Sequence, residues 1–224
     1  MTGEQGILLY HDIIDCIIAA LEAKDRNTAD HSRRVSDMSE QVCRLMRLSQ
    51  QETEKIHIAA HVHDIGKIGI ADSVLMKPGK LNEHEWKIVK EHPEIGAHIL
   101  SRSHGLSEVA HIVLCHHERW DGTGYPNKIG QLDIPLGARI IAVCDSIDAM
   151  MSDRAYRKAL TSEQCKKEIL SNSGIMYDPD IVSVVADNWE SVTGAGNFIR
   201  HYHKSIIDKC AINKKLLTNG KNLI

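Results

Sequence analysis

No apolar run in this 224-residue chain approaches the ~18 residues of a membrane span. No basic-then-apolar leader stands at its start either, so a cytoplasmic protein without a membrane anchor is expected. Cys-x-x-Cys is missing. The six cysteines (Cys16, Cys43, Cys115, Cys144, Cys165, Cys210) are scattered, mostly in apolar helical contexts, which favours reduced, buried thiols over a disulfide framework. An excess of one charge is also missing. With 25% charged residues and a formal net charge of −3, no global basic field recruits a nucleic-acid polymer. There is almost no period-2 alternation, no internal repeat and no low-complexity linker, and the fold class expected is all-α. The length suffices for one domain with a real core. Against these absences stands one excess, fourteen histidines.

Helical signals recur along the chain. Residues 7–24 place Ile14, Ile17, Ile18 and Leu21 at amphipathic spacing, and a second helix carries His31 near its start. Taken alone, His31 reads as a surface cap. Ser49-Gln50-Gln51-Glu52 has the form of a capping box and predicts a third helix running into His63-Asp64, with Lys67 on the same face. His57 and His61 on that helix read as packing or surface histidines. Asn82 starts a further helix, and Pro93 predicts a break directly after His92. Ser107 is expected to cap the next, whose apolar run ends at His116-His117. Burying two adjacent imidazoles costs stability unless each is bonded or ligated. A loop rich in glycine follows, with Trp120 and Tyr125 offering stacking faces at a pocket rim. Pro135 opens a helix that reaches Asp145 and, one turn on, Asp148. Arg154 and Arg157 are either a solvated basic face or an anion-binding pair. Thr161 and Asp178 begin two more helices, and residues 191–224 read as a terminal helix or tail.

Collected, His31, His63, Asp64, His92, His116, His117 and Asp145 exceed the needs of one metal and suffice for two if Asp64 bridges. Two ions ~3.5–4 Å apart can hold a bridging hydroxide and clamp the oxygens of an in-line phosphoryl displacement.

His31, His63-Asp64 and Asp145 together resemble the HD superfamily of metal-dependent phosphohydrolases. The His63-Asp64-Ile65-Gly66-Lys67 stretch with the Gly124-Tyr125-Pro126 loop resembles its HD-GYP subfamily. Lys77-Pro78-Gly79-Lys80-Leu81, His116-His117-Glu118-Arg119 and Asp153-Arg154-Ala155-Tyr156-Arg157 extend the likeness over residues 25–179. The resemblance implies an HD helical bundle with the HD-GYP helical extension over residues 1–190, and hydrolysis of a cyclic dinucleotide, chiefly cyclic di-GMP to pGpG and GMP. It implies two divalent metals, with iron or manganese favoured. His31, His63, Asp64 and Asp145 would hold one; Asp64, His92, His116 and His117 would hold the other. Lys67, Tyr125, Arg154 and Arg157 would contact substrate phosphates, Asp64 and Lys67 would be catalytic, and Asp148 would support the site. Some members carry a glutamate for a third metal where this chain has Asn27, so two are expected. Such domains are often attached to a receiver or sensor, for which this chain has no room. A separate regulatory or diguanylate cyclase protein is therefore an expected partner, and a homodimer could pair through the first helix. Two other functions fit parts of the pattern. A nucleotidase of the HD type needs only the His…His-Asp…Asp core, which leaves His92, His116, His117 and the Gly-Tyr-Pro loop unused. A non-catalytic cyclic-dinucleotide sensor would be expected to have lost ligands, and this chain keeps all seven.

Overall fold

The structure is a computed structural model that describes residues 28–153 and 158–194. The helix expected over 7–24, with the homodimer surface assigned to it, lies outside the described residues. So do Asn27, Arg154, Arg157, Cys16, Cys210 and residues 195–224.

Helices account for the described architecture, in the order α1 (Thr28–Leu45), α2 (Gln50–Val62), α3 (Asp72–Leu75), α4 (Glu83–Val89), α5 (His92–Leu100), α6 (Ser107–Cys115), α7 (Leu136–Met151), α8 (Ser162–Ser171), α9 (Pro179–Asp187) and α10 (Trp189–Thr193). Among the described residues there is no strand, only one isolated bridge between Ser173 and Tyr177. The all-α expectation holds. No described helix is long and apolar enough to cross a membrane.

The core lies where α1, α2, α6 and α7 meet. α7 buries Ala138, Ile140, Ile141, Val143, Cys144 and Ile147, too wide an apolar stripe for a surface helix, and so runs through the middle. α1 adds Val35, Met38, Val42 and Cys43; α2 adds Ile56, Ile58, Ala59, Ala60 and Val62; α6 adds Val109, Ile112 and Val113. Cys43, Cys115, Cys144 and Cys165 are buried free thiols, as expected.

Most predicted starts are present. Ser49 accepts from the Glu52 N–H, Asn82 with Glu85 and Thr161 with Gln164 form full capping boxes, and Asp178 caps α9. Three boundaries differ. The break expected directly after His92 falls before it, at Lys90 and Glu91, and His92 and Pro93 are the first two residues of α5. Ser107 is itself the first helical residue of α6 and makes no capping bond. The expected continuous helix through Lys67 stops at Val62, and residues Ile65–Gly69 form a short 3-10 helix. The cause is local: the His63 ring donates from Nδ1 to the Ala60 carbonyl at 2.7 Å, which the next α-turn would otherwise occupy.

Candidate metal centre

Four chain segments bring histidines to one point. His63 follows the end of α2, His92 opens α5, His116 and His117 follow the end of α6, and His31 lies in the first turn of α1. His63, His92 and His116 are almost wholly enclosed, as is Asp64 at 3% exposure. The pieces can approach because of two glycines. A Cβ on Gly66 would meet the His92 carbonyl oxygen at 1.8 Å and the Gly96 nitrogen at 2.6 Å, so only glycine lets the 3-10 helix lie on α5. A Cβ on Gly124 would meet the Arg119 nitrogen at 2.4 Å, so the Gly-Tyr-Pro loop likewise lies directly on the backbone leaving His117.

Two groups of ligand atoms result: His92, His116 and His117 in one, His31, His63 and Asp64 in the other, all within 4.8 Å of one another inside each group. Asp64 addresses both. Its Oδ1 is 3.4 Å from His92 Nε2, and its Oδ2 is 3.3 Å from His63 Nε2 and 3.8 Å from His31 Nε2. Asp145 Oδ1 stands 3.3 Å from His31 Nε2. Lys67 donates to Asp64 Oδ2 at 2.6 Å despite the broken helix.

The imidazole tautomers follow from the acceptors. Nδ1 of His63, His92 and His116 faces the carbonyls of Ala60, Val89 and Val113 at 2.7, 2.7 and 2.6 Å. A carbonyl only accepts, so each Nδ1 carries a proton, and a ring among them that is neutral keeps a bare lone pair on Nε2, directed inward. Two of these lone pairs, on His92 and His116, face each other at 3.3 Å. Burial lowers the pKa of both rings, and it carries His117 down to about 3, so no proton sits between them near neutrality. Burial pushes the Asp64 carboxyl up, but Lys67 and His63 outweigh it and hold the group ionised. Asp145 is held ionised against the same burial by its hydrogen bond to His31. Neutral imidazoles and carboxylates converging on one volume are a donor set for divalent transition metals.

His31 differs. Burial opposes its proton, yet hydrogen bonds to Asp145 and Asp148 carry its pKa up to about 10, and a metal must displace that proton. Its Nδ1 donates to Asp148 Oδ2 at 2.7 Å, and Arg34 bonds both oxygens of the same carboxylate.

A family profile described as "HD domain" matches residues 15–181. The chain belongs to the HD domain family. It is 42% identical over 187 residues to the cyclic di-GMP phosphodiesterase of Thermotoga maritima, covering 81% of this chain and 51% of that protein. It is 40% identical over 173 residues to the 3′3′-cGAMP-specific phosphodiesterase 2 of Vibrio cholerae, covering 76% and 33%. This HD domain thus spans a third to a half of the length of these relatives. The crystal structure of a cyclic GMP-AMP-specific phosphodiesterase of Vibrio cholerae shares its fold, with TM-score 0.61, 20% identity and 80% of this chain and 48% of that chain covered. The resemblance to the HD-GYP branch stands with these relatives.

Within the HD domain, the structure brings together all seven residues singled out as ligands, with Lys67 and Tyr125 beside them. The Tyr125 ring stacks on His117 with centroids 4.9 Å apart, and burial raises its hydroxyl pKa so that it stays protonated. Asp148 is bonded to His31 and Arg34, on the Nδ1 side of the His31 ring. Two contributors escaped the sequence. Arg34 is an ordinary helical arginine until Asp148 is opposite it. Glu118 is buried, and its Oε1 accepts from the Asn127 and Lys128 N–H groups at 2.6 and 3.1 Å, holding the Gly-Tyr-Pro loop. Glu118 stood in the His116-His117-Glu118-Arg119 stretch of the resemblance without a role, as a carboxylate directly after two histidines.

Proposed function

We propose that this HD domain hydrolyses the phosphodiester bonds of a cyclic dinucleotide, taking cyclic di-GMP to pGpG by a first cleavage and to GMP by a second, with two divalent metals. The observation that carries the proposal is the pair of Nε2 lone pairs on His92 and His116, bare and 3.3 Å apart beside Asp64. In a buried site such an arrangement is repulsive until a cation lies among the donors. By this assignment His31, His63, Asp64 and Asp145 hold one ion, and Asp64, His92, His116 and His117 the other, with iron or manganese suited to the mixed imidazole–carboxylate set. Ions bound there supply Lewis acidity toward phosphoryl oxygens and a nucleophile from water near neutral pH.

The chain's own residues do the rest. Asp64 offers one oxygen to each group of histidines, fixing their separation. Lys67, protonated beside Asp64, offsets charge on the phosphate and is the group we assign to protonate the leaving 3′-oxygen. Tyr125 presents its hydroxyl as a hydrogen-bond donor at the rim, and its ring on His117 limits entry of bulk water. Asp148 keeps the His31 ring turned so that Nε2 points inward. The relatives named as cyclic di-GMP and 3′3′-cGAMP phosphodiesterases support the substrate class.

Anaerobic metal analysis of the purified protein coupled to cyclic di-GMP turnover tests this. About two ions per chain with pGpG or GMP appearing is the expected result. Metal without turnover of any cyclic dinucleotide, or no metal under any condition, overturns it.

A further inference from the structure

The mouth of the centre carries a cation that the function above leaves unused. Lys90 follows Val89, whose carbonyl orients the His92 ring, so its position is tied to the ligand shell. Its ammonium lies over the Tyr125 ring, 5.2 Å from the centroid. Tyr125 in turn stacks on His117, with rings tilted by 29°. Lys90, Tyr125 and His117 thus form a column from solvent to ligand. Of the other lysines, Lys67, bonded to Asp64 at 2.6 Å, is assigned above to the phosphate that reacts, and Lys77 is held by both oxygens of Glu85 at 2.8 and 2.7 Å. Lys90 is exposed, and among the described residues its only charged-group contact is with the Tyr125 ring.

A cyclic dinucleotide is a dianion whose two phosphates lie on opposite sides of one macrocycle. When one phosphate occupies the histidine–carboxylate centre, the other must lie outside it, toward the mouth. An exposed cation–π contact is weaker than a charge-assisted hydrogen bond to phosphate, so an arriving phosphate draws the ammonium off the ring. We propose that Lys90, held ready on the Tyr125 ring, binds the second, unreacted phosphate of the cyclic dinucleotide and so selects two-phosphate substrates over simple diesters. The inference rests on the function proposed above and names a specificity residue for it.

The test compares wild type, Lys90→Met and Lys90→Arg. Methionine keeps the apolar stem and removes the charge. Three quantities are measured: kcat and KM for cyclic di-GMP and for bis(p-nitrophenyl) phosphate, which has a single phosphate; the Kd of a non-hydrolysable phosphorothioate analogue of cyclic di-GMP; and metal content. Lys90→Met is expected to raise KM for cyclic di-GMP and the analogue Kd about tenfold, the worth of one charged hydrogen bond. Its kcat should stay within about twofold, because the second phosphate takes no part in bond breaking. Metal content and turnover of the single-phosphate diester should not change, and Lys90→Arg should recover most of the loss. Equal losses on both substrates, loss of metal, or an unchanged KM for cyclic di-GMP would overturn the assignment. An unchanged KM beside brisk wild-type turnover removes Lys90 alone. A wild type that cleaves the simple diester and no cyclic dinucleotide removes the substrate class as well.

Discussion

His63, His92 and His116 each stand three residues past a carbonyl at the end of a helix, and each ring closes on that carbonyl through Nδ1 at 2.6–2.7 Å. The last carbonyls of an α-helix have no partner within it, so a ring N–H arriving there meets an acceptor and loses little freedom. The same bond that finishes the helix leaves Nε2 facing the centre. His31 sits at a helix start instead, where no spare carbonyl is available, and a carboxylate does the orienting: Asp148 at 2.7 Å, itself braced by Arg34. Carboxylate partners of ligating imidazoles raise ligand basicity, and losing one typically costs ~10–100-fold in metal affinity. Asp148→Asn should therefore weaken the ion at His31, His63, Asp64 and Asp145 by that amount and leave the ion at His92, His116 and His117 in place. Chelator competition followed by metal analysis reads this directly, as one tight and one weakened site. Two sites weakened equally, or none, would show that Asp148 does not act through His31.

At the scale of elements, the centre depends on how closely the 3-10 helix approaches α5. Gly66→Ala drives a Cβ into the His92 carbonyl and the Gly96 nitrogen, both main-chain atoms that cannot rotate aside. Overpacking of this kind costs about 1–3 kcal/mol, or more where backbone must move, against under ~0.5 kcal/mol for an exposed substitution. Gly105→Ala is the control, since its Cβ would meet nothing closer than a Ser103 oxygen at 3.8 Å. Gly66→Ala should lower Tm by several degrees and separate Asp64 from His92, so that metal content falls. Equal Tm and metal content in the two variants would refute the close-approach argument. Elements defined by short-range chemistry were legible from sequence: the capping boxes at Asn82 and Thr161, the cap at Ser49, the apolar run of α7, and a helix break near Pro93, though on the other side of His92. The candidate ligands were legible because histidines and aspartates such as His63-Asp64, His116-His117 and Asp145 at the end of apolar runs have few other uses, and His31 joined them through the family resemblance. What escaped was non-local. Nothing within residues 60–70 says that Gly66 will lie on α5, and nothing near Arg34 says that it will find Asp148 across 114 positions. Glu118 escaped for the same reason, because its partners are main-chain N–H groups nine and ten residues on.

Taken whole, the molecule packs an aliphatic core around α7 and then sets a cluster of buried polar groups against one side of it. Asp64 and Asp145 keep their charge there only through Lys67 and the imidazoles, and the Nε2 atoms of His92 and His116 have no proton to share. Unmet buried donors and acceptors subtract from stability, so the metal-free fold should carry a deficit that ions remove. Binding to the folded state alone stabilises by about 2.7 kcal/mol at a free metal concentration of 100 Kd. For a domain of this size each kcal/mol moves Tm by about 2–4 °C. Removing metal with a chelator should therefore lower Tm by roughly 5–10 °C, and back-titration should restore it in proportion to the logarithm of free metal. Asp64→Asn should flatten that titration, because Asp64 faces both groups of histidines, and turnover should vanish with it. A metal-independent Tm in the wild type, or a variant that still responds like the wild type, would mean that these buried imidazoles are satisfied by the protein alone.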